Sequence, residues 1–358
     1  MTVLKTLGAL AALALAAGAA VVFLGLYNVS ARSGHFPIVG WALHTTYENA
    51  VELRAVPERE VPPLDDPALI ALGARHFDGA CRICHSAPGE RRGATVRSMA
   101  PVPPPIEHAV HDWEPRHLHW IVFHGVKMSG MPHWPAPRPE EVWPLVAFLD
   151  EVRELDAAGY QALVVPGGTA YDDPTLAYCV SCHGAEGRGD LAPHVPRLDI
   201  QRAPYLAMSL AAFRDGARQS GIMEHAASDL DDQAIDELAT YFAEKLPEPM
   251  AQPPVDPFLA RIGEALASAE GDSPEVPACR ACHGPDATRA APGIPSLAGQ
   301  HVEYLETQLR LWREGIRGGG PRANVMHEVA DKLTDAQIAA LAAYYAALPP
   351  AKSITTAP

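Results

Sequence analysis

The chain is poor in cysteine and in basic residues. It has six Cys in 358 residues, and 28 Lys and Arg stand against 43 Asp and Glu, which gives a formal charge of −15. Six cysteines are too few for a disulfide scaffold of this length, so their spacing has to show what they do. The acidic balance repels phosphate backbones and excludes nucleic acid as a partner. The 48% of hydrophobic residues can fill roughly two or three compact cores, which argues against disorder.

A long hydrophobic run lies at the N-terminus. Leu7–Tyr27 consists largely of Ala, Leu, Val and Gly and has no charged residue. A helix over this run would cover the roughly 30 Å of a bilayer's hydrocarbon core, whereas signal peptides have apolar cores of about 7–15 residues. We therefore predict a retained membrane anchor over residues 1–35, although Ala17-Gly18-Ala19 also fits a signal cleavage site. The positive-inside rule then places the chain after Arg32 outside the cytoplasm.

All six cysteines belong to one pattern, Cys-x-x-Cys-His, which occurs three times about a hundred residues apart. The copies are Cys81-Arg82-Ile83-Cys84-His85, Cys179-Val180-Ser181-Cys182-His183 and Cys279-Arg280-Ala281-Cys282-His283. This spacing lets two thiols reach the two vinyl groups of one porphyrin while the next residue presents imidazole to the iron. A redox dithiol does not need the histidine, and a zinc ribbon needs its cysteine pairs about 15–20 residues apart. The pattern predicts three covalently bound haem c groups, with His85, His183 and His283 as iron ligands.

The second and third motifs lie in a duplicated segment. Tyr205-Leu206 and Phe213-Arg214 recur about a hundred residues later as Tyr304-Leu305 and Trp312-Arg313. Proline-rich joints at 56–67 and 247–257 and the Pro166-Gly167-Gly168 turn mark the seams. We predict an all-α chain in which three tandem haem domains follow the anchor, with boundaries at 36–158, 159–250 and 251–350 and a tail at 351–358. These domains are called the first, second and third units below.

Capping residues predict where several helices begin. Asp66, followed by Pro67, predicts the start of a helix that leads towards Cys81. Asp231 predicts the start of the helix that closes the second unit. Thr334 with Gln337 three residues later has the spacing of a capping box and predicts the helix that closes the third. The closing helix of the first unit is expected near residues 143–155, where Pro144 either starts or kinks it.

A methionine is the expected second axial ligand, because a thioether raises the reduction potential and closes the iron to other ligands. Met326 is the remaining methionine after His283, and the duplication then selects Met223 in the second unit. Met208 lies in an apolar run and is better explained as a residue that packs in the core. Met250 is the other alternative to Met223 as the ligand in the second unit.

The first unit offers more than one candidate for this ligand. Met131, followed by Pro132, lies in an extended loop suited to a haem ligand and is preferred to Met128. Histidine would give a lower potential, and many histidines compete: His76, His108, His111, His117, His119, His124 and His133 here, with His225 and His327 as lesser rivals in the other units. Four arginines could pair with haem propionates or lie on solvated helix faces: Arg214, Arg218, Arg313 and Arg317.

These motifs resemble those of class I c-type cytochromes. Residues 170–350 resemble the diheme cytochrome c4 group through a glycine after each haem-binding histidine, Leu297-Ala298-Gly299-Gln300 and a closing Tyr-aromatic helix. The second unit has Arg197-Leu198-Asp199-Ile200-Gln201 where Leu-Ala-Gly-Gln is expected. Gly130-Met131-Pro132-His133-Trp134 resembles a loop found in monohaem domains of membrane-anchored bacterial electron-transfer cytochromes. The resemblance implies single-electron transfer in the periplasm of a bacterium, at its inner membrane, with no chemistry on a bound substrate.

We therefore expect a triheme carrier that relays electrons from a quinol-oxidising cytochrome bc-type complex (a quinol-cytochrome c reductase) to a haem-copper terminal oxidase. One alternative is the electron-accepting subunit of a periplasmic dehydrogenase. An alternative of another class is a diheme-peroxidase-like enzyme, which would need an iron with an open site. The acidic charge predicts that redox partners are basic or dock on small apolar patches at the haem edges of this chain. The rates of electron transfer with these partners should depend on salt.

Overall fold

The computed structural model describes residues 2–127, 129–165, 171–250, 254–268, 278–285, 287, 291–320 and 322–352. Regular structure in these residues is helical, with no β-strand, which confirms the predicted all-α class. Met128, the Pro166-Gly167-Gly168 turn and most of the tail lie outside the described residues. The helices are α1 Thr2–Phe23, α2 Pro37–Arg54, α3 Pro67–Ala80, α4 Arg82–His85, α5 Ala94–Arg97, α6 Ile106–Ala109, α7 Pro115–His124, α8 Trp143–Glu151, α9 Ala157–Val164, α10 Pro174–His183, α11 Ala203–Arg214, α12 Gly221–Ala227, α13 Asp232–Ala243, α14 Pro257–Ala267, α15 Arg280–His283, α16 Val302–Arg313, α17 Ala323–Ala330 and α18 Asp335–Ala347. Short 3₁₀ turns occupy Glu58–Glu60, Pro139–Val142 and Val152–Glu154.

The N-terminal helix α1 stands apart from the helical units. Its 22 residues include no buried side chain, and it is long and apolar enough either to cross a membrane or to act as a signal sequence. The next helix, α2, docks on the first unit. Val51 is fully buried, and Glu52 forms an ion pair of 2.8 Å with Arg116. A short segment therefore connects α1 to the first unit.

Each unit opens with the same local signal, an aspartate followed by proline. Asp66, Asp173 and Asp256 each accept a hydrogen bond of 2.8–2.9 Å from the backbone N–H two residues later. The predicted cap at Asp66 is confirmed, and the two later Asp-Pro pairs are signals that the sequence analysis missed. The caps predicted at Asp231 and Thr334 are also confirmed.

The closing helices pack against the cores of their units. In the first unit α8 begins at Trp143 with Pro144 in its first turn, so the proline starts the helix instead of kinking it. Gly73 of α3 and Gly263 of α14 allow their helices to cross α8 and α18 closely, since a Cβ at either position would lie about 2 Å from a carbonyl oxygen of the closing helix. α9 packs on the first core through Tyr160 and Val164 and so crosses the predicted boundary at residue 158.

The second and third units join through a repeated pair of hydrogen bonds. The Gln300 side chain accepts from the Arg197 N–H (2.9 Å) and donates to the Arg197 carbonyl (3.0 Å). Gln201 accepts from the Ser296 N–H (3.0 Å) and donates to the Ser296 carbonyl (2.8 Å). The equivalent glutamines of the two units, Gln201 and Gln300, therefore each bind the backbone of the other unit, as in a self-complementary dimer.

This interface also accounts for the unusual sequence of the second unit at residues 197–201. Arg197 and Asp199 are almost fully buried and form an ion pair with each other, with Nε to Oδ1 at 3.0 Å. The guanidinium also donates to the Glu248 carbonyl at 2.7 Å. The glutamine that meets the third unit is retained as Gln201, while a buried ion pair replaces the small residues before it.

Candidate haem sites

The histidine that ends each Cys-x-x-Cys-His motif is held in the same way in all three units. Its Nδ1 donates to a proline carbonyl: His85 to Pro104 at 2.9 Å, His183 to Pro196 at 3.2 Å and His283 to Pro295 at 3.0 Å. A carbonyl oxygen can only accept, so the hydrogen bond fixes the proton on Nδ1. Nε2 is left with its lone pair, as an iron ligand requires.

Burial keeps these imidazoles neutral. It lowers the pKa of His85, His183 and His283, and for His183 the pKa falls to about 4. A metal ligand has to be unprotonated, and all three rings meet that condition at neutral pH.

The cysteines have the opposite environment to that of a redox dithiol. Burial raises the pKa of Cys81 and Cys179 to about 12 and that of Cys279 to about 11. A reactive dithiol needs a lowered pKa, so these thiols are poor redox catalysts. Within the described part of the chain, no group of three or more His, Cys, Asp or Glu side chains is arranged to hold a metal ion. The donor set fits covalent haem.

The predicted methionine ligands lie on equivalent elements of the duplicated units. Met223 is on α12 and Met326 on α17, and each helix directly precedes the closing helix of its unit. Met223 and Cys179 pack against the same apolar cluster, so the fold brings the predicted ligand towards the haem-binding cysteine. Met208 packs on the core beneath α11, in agreement with its interpretation as a packing residue.

Met131 lies in a loop between α7 and the Pro139–Val142 turn, as predicted for a ligand that is not on a helix. Its N–H donates to the Ser129 hydroxyl at 3.1 Å and its carbonyl accepts from the Val126 N–H at 3.2 Å. Gly125 has a φ of +64°, and a Cβ there would lie 2.5 Å from Pro132, so glycine is required for this loop to fold back on α7.

Several competing histidines of the first unit are occupied by other contacts. His119 Nε2 lies 2.8 Å from the Pro139 carbonyl, and the His119 ring stacks on Trp143. His117 Nε2 lies 2.8 Å from Glu52. His133 Nδ1 lies 2.6 Å from a backbone carbonyl. These contacts favour methionine, and the assignments of Met131, Met223 and Met326 stay predictions.

The four predicted propionate arginines divide into two kinds. Arg214 and Arg313 form ion pairs of 2.8 and 2.7 Å with Asp232 and Asp335, at the start of the closing helices. These two arginines therefore anchor helix ends and already have carboxylate partners.

Arg218 and Arg317 are buried between the second and third units. Arg218 donates to the Tyr304 hydroxyl at 3.0 Å, and Arg317 donates to the Tyr205 hydroxyl at 3.3 Å. Burial alone would raise the pKa of Tyr205, but the two guanidiniums outweigh it and lower the pKa to about 8. Among the described residues neither arginine has a carboxylate partner, and Arg317 Nε is buried without a hydrogen bond. Two buried cations, one of them with an unpaired donor, fit anionic groups such as haem propionates.

The sequence matches known protein families and relatives. The family profile described as cytochrome c matches residues 165–244 and 262–348, and the profile of cytochrome c oxidase, cbb3-type, subunit III matches residues 68–149. The chain is 38% identical to the thiosulfate dehydrogenase electron acceptor of Thiomonas intermedia, over 58% of this chain and 96% of that protein. It is 36% identical to cytochrome c4 of Pseudomonas aeruginosa, over 50% of this chain and 87% of that protein. The solved structure of reduced recombinant cytochrome c4 from Pseudomonas stutzeri is 32% identical, covers 48% of this chain and 94% of that chain, and aligns with a TM-score of 0.43.

The helical fold and the three histidine sites define a multihaem c-type cytochrome that carries covalently bound haem c. The chain belongs to the cytochrome c family, and its second and third units are similar to the diheme cytochrome c4 pair. Its general activity is electron transfer.

Proposed function

We propose that the chain is a membrane-tethered triheme electron carrier whose haem domains lie in the periplasm, with domains predicted at 36–158, 159–250 and 251–350 and with α9, which spans the first boundary, packed on the first domain. The observation that carries the proposal is the threefold recurrence of a histidine fixed by a proline carbonyl beside two half-buried cysteines. Each haem iron, when bound, exchanges one electron between its ferrous and ferric states. Cys81, Cys84, Cys179, Cys182, Cys279 and Cys282 would hold the three haems covalently, and His85 with Met131, His183 with Met223, and His283 with Met326 would ligate the irons.

The protein's own residues tune these sites. The proline carbonyls orient each imidazole and make it a better donor, and the methionines would raise the potential and exclude exogenous ligands. Arg218 and Arg317 would neutralise haem propionates between the second and third units. His85, His183, His283, Met223 and Met326 lie on helices, whereas Met131 lies in a loop that hydrogen bonds with Val126 and Ser129 hold.

The two ends of the chain are suited to different partners. The first unit follows α1 in the chain through the docked helix α2, and it is similar to a subunit of a terminal oxidase. The paired units are similar to proteins named as electron acceptors of a dehydrogenase. Electrons would enter at the pair and leave through the first unit to a haem-copper terminal oxidase. The donor is a quinol-oxidising bc-type complex or a periplasmic dehydrogenase, and these relatives favour the dehydrogenase.

The test is anaerobic reduction of the purified, haem-loaded chain by each candidate donor, followed by reoxidation with a terminal oxidase. Rapid reduction by the dehydrogenase and rapid reoxidation by the oxidase would support this assignment. Exclusive reduction by the bc-type complex would reverse the choice of donor. Because the chain carries a charge of −15, rates with a basic partner should fall as salt is added.

The peroxidase-like alternative has a separate test. Three methionine-ligated irons should not bind carbon monoxide rapidly in the reduced native protein. Rapid binding to one haem, together with turnover of peroxide, would favour an enzyme and refute a pure carrier.

A further inference from the structure

Among the described residues of the second unit, no helix of its own lies between α9, which packs on the first core, and the helix that carries the haem motif. In the first and third units, α3 and α14 end before Cys81 and Cys279. In the second unit α10 begins at Pro174 and already contains Cys179 in its second turn. The surface beside this haem motif is therefore left for another element to cover.

Helix α3 of the first unit covers that surface. Leu72 packs in one apolar cluster with Cys182. Arg75 donates a hydrogen bond to the carbonyl of Ser181, which lies between the two haem-binding cysteines. The first unit thus fixes the backbone and one wall of the second haem motif.

The first unit also holds the helix that carries Met223. The carboxylate of Glu141 accepts from the Ser220 hydroxyl at 2.6 Å and from the Gly221 N–H at 2.7 Å. These residues begin α12, and Met223 lies in its first turn. The Glu141 side chain is only 9% exposed, and Arg138 pairs with it at 2.5 Å. A buried, doubly hydrogen-bonded carboxylate is therefore supplied from outside the second unit.

Side-chain packing also supports the contact between the first unit and the start of α12. The Trp134 ring lies directly against Gly221, where a Cβ would be 2.2 Å from the indole Nε1. Ile222, the next residue, packs on the core of the first unit. Met223 therefore follows two residues whose position is set by the first unit.

We infer that the first unit completes the second haem site, with Glu141 as a positioning residue that holds Met223 through Ser220 and Gly221. The inference rests on Met223 being an axial ligand, as in the proposed function. Since α3 contacts the haem motif and Glu141 contacts the methionine helix, the first unit fixes both sides of one site. The second haem site would then be built from residues of two units.

Glu141→Ala in the full-length, haem-loaded chain is the direct test. Loss of the hydrogen bonds should loosen Met223, so the red absorption band of thioether-ligated iron should weaken and one midpoint potential should fall. Loss of a negative charge by itself would raise that potential, because an anion stabilises ferric iron, so the sign of the shift separates positioning from charge. Glu141→Gln keeps an acceptor oxygen and should keep the band. Glu140→Ala is the matched control, since it removes the adjacent carboxylate, which is 50% exposed.

Gly221→Ala is an independent second variant, because the new Cβ would clash with Trp134. It should give the same weakened band and should admit imidazole to one iron, with three haems still attached. Gly93→Ala, at a glycine with nothing within 4 Å of an added Cβ, should match the native protein. An intact band with a raised potential in Glu141→Ala, and a native spectrum in Gly221→Ala, would overturn the inference.

Met223→Ala separates the inference from the ligand assignment. If Met223→Ala abolishes the absorption band of one thioether-ligated iron and Glu141→Ala leaves that band intact, the inference fails and the proposed ligand stands. If Met223→Ala itself changes neither band nor potential, the ligand assignment of the proposed function fails, and the positioning role falls with it.

Discussion

The joint between the second and third units gives the sharpest stability prediction. Gln300 is 1% exposed and reaches from the third unit to the backbone of Arg197, which is also 1% exposed. Gln300→Ala would remove the side-chain acceptor of the His301 N–H, and it would remove both hydrogen bonds to Arg197 and leave the Arg197 N–H and carbonyl buried without these partners. The substitution changes no charge and leaves the haem motifs untouched.

The size of the effect follows from those two groups. A buried donor or acceptor that loses its partner costs about 1–3 kcal/mol, so the two Arg197 groups should lower the free energy of unfolding by roughly 2–6 kcal/mol. For a cooperative unit of about 180 residues this corresponds to a fall of about 4–24 °C in the melting temperature. Gln201→Ala should cost a similar amount, because Gln201 makes the reciprocal pair of bonds to Ser296.

Thermal unfolding of the haem-loaded protein, followed by far-UV circular dichroism and by haem absorbance, measures this effect. Gln233→Ala is the control, because Gln233 is exposed and bonds to Glu237 within one helix. We expect the control to stay within about 0.5 kcal/mol of the native protein. A Gln300→Ala protein that melts together with the control would show that the reciprocal bonds do not hold the two units.

Three further predictions concern other parts of the molecule. Met326→Ala should remove one thioether–iron absorption band and lower one midpoint potential, and an unchanged redox titration would eliminate this ligand. Replacing residues 1–35 by a cleavable export signal should release a soluble protein with three haems, whereas persistence in the membrane fraction would show another attachment. Burial, with a smaller contribution from His225, lowers the pKa of His76 to about 3. Its unfolded pKa is about 6.5, so the unfolded state takes up the proton first and stability falls as the pH drops below 6.5. His76→Phe should flatten that fall in acid denaturation, and an unchanged pH profile would contradict the assignment.

The chemistry of the haem sites was readable from the sequence because it is local. Two thiols and an imidazole within five residues are sufficient to specify covalent haem attachment, whatever surrounds them. The helix starts at Asp66 and Thr334 were predictable for the same reason, since a cap involves residues two or three positions apart. The repeat also located Met223 and Met326 on equivalent elements.

The roles of the arginines were less accessible, because burial decides them. Arg214 and Arg218 are only four residues apart in the sequence. Arg214 nevertheless pairs with an aspartate, whereas Arg218 is buried between units. Helical spacing gives the direction of a side chain but not the identity of what packs over it. Pro144 is a similar case, since the sequence allowed a start or a kink and packing selected the start.

The sequence by itself determined the class of the protein, the number of haems and the residues that bind them covalently. Tertiary structure decided how the sites are completed. The proline carbonyl that orients each histidine lies 12–19 residues away, Glu141 reaches a backbone N–H 80 residues away, and Gln300 reaches one 103 residues away. Such contacts depend on how whole units dock, which is set by the combined shape of many side chains, so no short motif records them.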